Sequence, residues 1–306
     1  MRSLTAAVVA VLLLAPIAAL ADGCLMPSKA NWVTLRERAY INEPEQKAVV
    51  HFTKGSEDLI ISPSFEGPAT SFAWVIPVPA RPKVRILEGA IFHELAKLIE
   101  PPAVGKSGGT REAQVSAPTV TLLERRTVGA YDVSVLSAND GQALMNWLSA
   151  NGYHLPDAAA APVREYIKAR WTFVACRVKA PVQAEQGLRA GTLAPLRLTF
   201  KASRPIYPLR LSSANPAAFS VVVYLVLPER EVGGAKSVAL IGRPRGGPDK
   251  TPKIATINWW RRKECPTLMK LCKQNVRIYL ERRYLQPDDC TRDYVWAPPV
   301  RMASRM

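Results

Sequence analysis

Apolar residues in this chain come in runs of strand length. After the first 20 residues the longest is 219–227, nine residues, whereas a membrane-spanning helix needs about 20. Such runs suit strands buried in sheets. Residues 46–53, 58–65 and 72–78 are rich in β-branched and aromatic side chains, and the turn residues Lys54-Gly55-Ser56 and Glu66-Gly67-Pro68 separate them. That pattern predicts three strands in meander order. Pro77 and Pro79 lack an amide donor, so the third strand must end there or lie at an edge.

The period then changes. Across 88–100, Ile91, Phe92, Leu95, Leu98 and Ile99 share one helical face, and Pro101-Pro102 stops the helix. Residues 103–118 form a loop rich in Gly, Ser and charge, the segment where mobility is expected. Strands follow at 119–125 and 130–136. A helix capped by Asn139 or Asp140 runs to Ala150 with an inner face of Leu144, Trp147 and Leu148, and Gly152 stops it. A second helix, capped by Asp157, runs to about Ala169. Further strands are predicted at 171–179, 196–201 and 219–227. This order gives an α+β fold: largely antiparallel sheets with a few packed helices.

The first residues read differently. Arg2 is followed by an uncharged stretch from Leu4 to Leu20, interrupted only by Thr5 and Pro16, and Ala19-Leu20-Ala21 supplies small residues where a signal peptidase cuts. Cleavage between Ala21 and Asp22 is the expectation, with export to the periplasm or the medium. An uncleaved anchor would need a longer apolar stretch. A lipid-carrying Cys24 is a lesser alternative, because Asp22 places a charge where such signals carry small neutral residues. Removing residues 1–21 from the 306 leaves 285, enough for a sizeable core. Three regions are expected: a leader at 1–21, a main α+β domain at 22–242 and a basic, cysteine-containing extension at 243–306 packed on it.

All five cysteines fall after the leader. In an oxidising compartment thiols tend to pair, and an odd number leaves one over. Cys176 is the candidate for a buried thiol, since it alternates in phase with Val174 and Val178. Cys24, Cys265, Cys272 and Cys290 are then the candidates for two disulfides, in one of three pairings. A bridge from Cys265 to Cys272 would have to close two helical turns, about 10 Å, beyond disulfide reach. The absence of a C-x-x-C pair gives no support to a thioredoxin-type site or a zinc ribbon.

Charge is unevenly spread. Residues 243–306 hold 15 basic and 6 acidic side chains, and the whole chain carries a net charge of +16. Basic and aromatic residues interleave at Trp259-Trp260-Arg261-Arg262-Lys263 and at Tyr279-Leu280-Glu281-Arg282-Arg283-Tyr284. Outside the cytoplasm the available anions are lipid head groups and acidic envelope polymers rather than nucleic acid. Arg261, Arg262, Lys263, Arg282 and Arg283 are therefore the candidate contacts to an anionic surface. Alternatively, the charges simply solvate a face with aromatics beneath it.

Catalytic motifs fail on context. Gly105-Lys106-Ser107-Gly108-Gly109 has the letters of a nucleophile elbow, but Ser107 follows a proline-stopped helix instead of a strand. His93-Glu94 opens a zinc-protease motif that breaks at Lys97. His51 alternates with Val49 on a strand, and His154 follows a helix stop, so both read as ordinary packed or surface residues. No cofactor and no metal is implied.

Several stretches in order carry a family likeness: Glu66-Gly67-Pro68-Ala69 with residues 72–80; Tyr131 to Ala138 leading to Trp147-Leu148 and Asn151-Gly152-Tyr153; residues 166–178; and 196–200 with 208–211. Over residues 24–227 the chain resembles the bacterial exported family called domain of unknown function 2330. The resemblance implies export and one shared domain, and no activity. Together these readings favour an exported, non-enzymatic binding or scaffold protein of the cell envelope. The alternatives are an envelope hydrolase using Ser107 or a histidine, and thiol chemistry at an unpaired cysteine.

Overall fold

The computed structural model describes residues 24–27, 45–66, 71–99, 121–128, 131–153, 155–179, 190–215, 218–232, 238–241, 253–258 and 263–297. In chain order the strands begin with β1 (Cys24–Pro27), β2 (Glu45–Thr53), β3 (Ser56–Glu66), β4 (Ser71–Val78), β5 (Lys83–Ile86), β6 (Thr121–Val128), β7 (Tyr131–Ser137) and β8 (Thr172–Lys179). They continue with β9 (Ala190–Thr192), β10 (Leu196–Lys201), β11 (Ile206–Tyr207), β12 (Phe219–Pro228), β13 (Leu240–Ile241), β14 (Lys253–Ile257), β15 (Val276–Leu285) and β16 (Tyr294–Trp296). The helices are α1 (Ile91–Ile99), α2 (Gly141–Ala150), α3 (Ala160–Lys168), α4 (Glu229–Val232) and α5 (Pro266–Cys272).

Most strands join one of two sheets. One has five strands in the order β1-β4-β8-β7-β6, and the other runs β14-β15-β12-β2-β3-β10-β5 with β9 added beside β3. Pairing is antiparallel throughout except between β2 and β12. A third, small sheet holds β11, β16 and β13. The α+β fold with largely antiparallel sheets is thus the observed one.

Side-chain alternation stacks these sheets into four layers. On β8, Val174, Cys176 and Val178 point into an apolar core shared with Ala48, Val50, Leu59, Ile61, Val221 and Val223 of the larger sheet. The alternate residues Phe173 and Ala175 point the other way, into a cluster with Leu144, Trp147 and Leu148 of α2 and Val163 and Tyr166 of α3. On β12, Val222, Tyr224 and Val226 face a third cluster, formed with Ile91 and Leu95 of α1 and Leu268, Met269 and Cys272 of α5. Helices therefore cover the outer side of each sheet, and a strand buried on both faces loses the polar alternation. This explains the continuous apolar run at β12.

Local choices match the earlier reading in most elements. Asp140 caps α2, its carboxylate accepting from the Ala143 amide at 2.7 Å, and Gly152 adopts a φ of +83° after it. Among the described residues none pairs with the β1 side of β4 past Val75, which is where Pro77 can be accommodated. Two expectations need correction. β4 does not continue a meander: the place beside β3 belongs to β10, and β4 crosses into the five-stranded sheet between β1 and β8. Asp157 caps no α-helix; it opens a 3-10 turn, and α3 starts beyond it without a side-chain cap.

Described residues after 242 contribute strands to the sheets. β15 pairs along ten residues with β12 and on its other side with β14. Asp293, buried beside β16, accepts hydrogen bonds from the Tyr166 hydroxyl at 2.5 Å and the Leu209 amide at 2.9 Å. The end of the chain thereby clasps helix α3 from the outer layer.

No disulfide joins any two of the five cysteines, which corrects the expected bridges. The reason is placement. Cys24 lies in the cluster under α2 and α3, Cys290 in the core between the sheets, and Cys265 and Cys272 at opposite ends of α5 in the third cluster. A disulfide contributes about 2–4 kcal/mol, whereas each large apolar side chain fully buried contributes about 1.5–3 kcal/mol. Three filled clusters make bridges dispensable for stability.

Candidate functional site

The site begins at a hairpin. Lys54 and Gly55 both take positive φ, 49° and 70°, the two-residue turn whose twist suits paired strands. That turn fixes the register of β2 on β3 and sets His51 opposite Asp58. β10 then brings Thr199 opposite Asp58 on its other side, with Arg197 two pairs further along, opposite Ile60. Polar residues of three strands thus meet on the face of the larger sheet that α1 and α5 cover.

Asp58 is the hub. Its Oδ2 lies 3.2 Å from His51 Nδ1, and its Oδ1 accepts from Arg197 Nε at 2.8 Å and Thr199 Oγ1 at 2.6 Å. Burial alone would raise its pKa, but the hydrogen bonds from His51, Arg197 and Thr199 and the charge of Arg197 outweigh burial and hold it at about 2. An ionised carboxylate only accepts, so His51 donates through Nδ1. Its Nε2 is buried without a hydrogen-bond partner among the described residues. A carboxylate-backed imidazole of this kind can act as a base or simply orient its neighbours.

Cys272, the last residue of α5, borders this face. Burial and then the Asp58 charge push its thiol well above the usual range, against the opposing charge of Arg197. It is a neutral thiol at physiological pH. Helix α5 is held down by Glu94 of α1, whose carboxylate accepts from the Thr267 amide at 3.0 Å and the Leu268 amide at 3.1 Å. Among the described residues no group of His, Cys, Asp and Glu could hold a metal ion.

At the outer edge the network opens into a strip of cations. The Arg197 side chain is 31% exposed. Arg85 of the edge strand β5 stands opposite it, Lys83 stands opposite Thr199, and Lys201 follows at the end of β10. Lys83, Arg85 and Lys201 are exposed and make no ion pair among the described residues. Neither β5 nor β10 carries an acidic residue. A shallow depression lined by Glu229, Arg230, Gln274 and Asn275 lies elsewhere, and its groups bond one another.

The residues singled out in the sequence do not gather into one site. Arg283 is buried, its Nε donating to Glu281 Oε1 at 2.7 Å, so it does not face solvent; this corrects its assignment as a surface contact. Arg282 and Lys263 are exposed. Arg261 and Arg262 lie outside the described residues, as do Ala21, Asp22, Ser107, His154 and the 103–118 loop. Cys176 is fully buried, and burial followed by the Asp132 charge pushes its thiol up. Cys24 is 1% exposed. His93 is exposed on α1, while His51, among the described residues, has a carboxylate partner. Sequence reasoning placed His51 on its strand but missed Asp58; the Lys54-Gly55 turn was the available signal, because it dictates the pairing. Arg197, 139 residues away from Asp58, left no local trace.

Comparison with solved structures finds a crystal structure of baculovirus P35, with 8% identity, 84% of this chain and 97% of that chain covered and a TM-score of 0.37. No curated protein matches. The profile of a bacterial family described as uncharacterized protein conserved in bacteria, DUF2330, matches residues 31–240, from ahead of β2 into β13. That match spans more than half of the chain, which belongs to the DUF2330 family.

Proposed function

We propose that this chain is an exported protein of the cell envelope that works by binding anionic polymers and not by turnover. The observation that carries the reading is the strip of exposed, unpaired cations on β5 and β10, built on a body whose interior is given to apolar packing. The uncharged leader ending at Ala21 supports export, and the net charge of +16 supports attraction to anionic material. Burial of the Cys24 sulfur under α2 and α3 supports a chain that carries no lipid there. Inert, buried thiols also suit an oxidising compartment, where exposed ones would react.

The test pairs location with binding. Protein recovered from periplasmic or medium fractions should begin at Asp22 by mass spectrometry and be retained on immobilised anionic polymers. Recovery of the intact leader from the cytosol, or passage through every anionic matrix at low salt, contradicts the proposal.

One observation favours a second reading, an envelope hydrolase: the His51–Asp58 pair with Nε2 unpartnered. Turnover of an ester, peptide or glycan by the native chain, lost in His51→Ala, would replace binding with catalysis as the function.

A further inference from the structure

We propose that Lys83, Arg85, Arg197 and Lys201 form the docking surface for a linear anionic glycan, with Arg197 as the oriented contact at its centre. This rests on the reading of the chain as an anion-binding envelope protein and names the surface and the ligand class.

The strip is positively charged. Asp58 and Arg197 offset each other, so the strip retains the three uncompensated positive charges of Lys83, Arg85 and Lys201. Its central arginine is also oriented. Asp58 fixes Arg197 through Nε, and among the described residues no group takes its two Nη nitrogens. An arginine whose fork is held from behind loses less freedom when it meets a carboxylate or sulfate. Asp58 is in turn held by His51 and Thr199, so the support reaches into the sheet.

Geometry selects an extended ligand. Arg197 and Lys201 lie four residues apart on the same face of β10, about 13 Å along the strand, with the neutral Thr199 between them. Arg85 and Lys83 stand about 5 Å away across the antiparallel pair. Two parallel rows of cations on a sheet face fit a polymer carrying anions at regular intervals. A bilayer surface fits less well, because membrane docking calls for apolar anchors beside the charge. The exposed large apolar residues among those described, Ile241, Ile254 and Tyr284, lie on β13, β14 and β15. Charged residues on an edge strand can also serve only to prevent edge-to-edge association, and the experiment separates that role from binding.

Residues 22–306 of the wild type and two variants are titrated against heparin, alginate and vesicles containing phosphatidylglycerol. The first variant is K83Q/R85Q/K201Q, whose substitutions are exposed and leave the buried network intact. The second is R197K, which keeps the charge and removes the fork. The wild type should bind the two glycans more tightly than vesicles of equal charge concentration. The triple variant should lose about tenfold in glycan affinity, and R197K should weaken binding where a control, K263Q/R282Q, does not. Glycan binding unchanged in the triple variant overturns the assignment of this surface while leaving the anion-binding reading in place. Binding of neither glycan nor vesicle by the wild type overturns that reading itself, and preference for vesicles replaces the glycan with a lipid surface. Association of the triple variant into larger species with glycan affinity retained assigns the cations to edge protection and also overturns the proposal.

Discussion

Replacing Asp58 by Asn should destabilise the protein and remove part of its acid sensitivity. The carboxyl is held at about 2 against an ordinary value of 3.8. Each unit corresponds to about 1.36 kcal/mol, so its ionisation contributes roughly 2.5 kcal/mol at neutral pH. The sign follows from the depressed folded value: the contribution is complete above the unfolded pKa and disappears as pH falls toward about 2. Asn keeps the shape but leaves the Arg197 charge without its counterion and His51 with a weaker acceptor. Breaking a fully buried pair costs about 3–5 kcal/mol. Arg197 is 31% exposed and water relieves part of that cost, so about 2.5–3 kcal/mol is expected. For a chain of this size that is a Tm lower by about 5–7 °C. Urea unfolding followed by circular dichroism, repeated from pH 7 to pH 2, reads both effects. The variant should start lower and show a shallower decline below about pH 4. Stability within about 0.5 kcal/mol of the wild type at pH 7, with the same acid limb, would refute the claim that Asp58 organises this face.

Other expectations concern the thiols, Glu57 and Gly89. The five thiols should be unreactive to a disulfide reagent in the native protein within minutes and all titrate in guanidinium, because burial keeps Cys176, Cys272 and Cys290 protonated; fewer than five in denaturant would reveal a bridge. Glu57 is fully buried, and burial first, then the Asp58 charge, push its carboxyl well above the ordinary range despite the Ile206 amide bond. Its folded pKa lies above its unfolded one, so stability is lost as pH rises, and Glu57→Gln should flatten the alkaline side of a Tm against pH curve; a steeper fall in the variant would contradict this. At Gly89, φ is +107° and an added Cβ would stand 2.3 Å from Thr267 Oγ1. Gly89→Ala should therefore cost about 1–3 kcal/mol by urea unfolding, and a neutral result would show that α5 can shift freely.

What the sequence disclosed was local, and what it concealed was distant. Strand-length runs located β2, β3, β10 and β12 to within a residue or two, because alternation and turn chemistry are written in neighbouring residues. Sheet membership was not, since β4 pairs with a strand about 100 residues away and β12 runs parallel to β2 across most of the chain. Residues 279–284 read as a basic surface because Arg282 and Arg283 interleave with aromatics, yet Val276, Ile278 and Leu280 of β15 alternate beneath α5 and lock it beside β12. Deleting 243–306 would remove that paired strand, so point substitutions are the cleaner probe of charge. The site was half legible: His51 and Asp58 face each other across a recognisable turn, whereas Arg197, Arg85 and Lys83 reach it through long-range pairing.

In the proposed binding mode the cations of β5 and β10 meet a charged polymer directly. The most direct measurement is heparin affinity as a function of salt. Each phosphate-like charge neutralised releases counterions, so four contacts should give a slope of log affinity against log salt of about −3. The wild type should show that slope and K83Q/R85Q/K201Q should fall to about −1. Equal slopes in the two proteins would contradict the assignment of the binding surface.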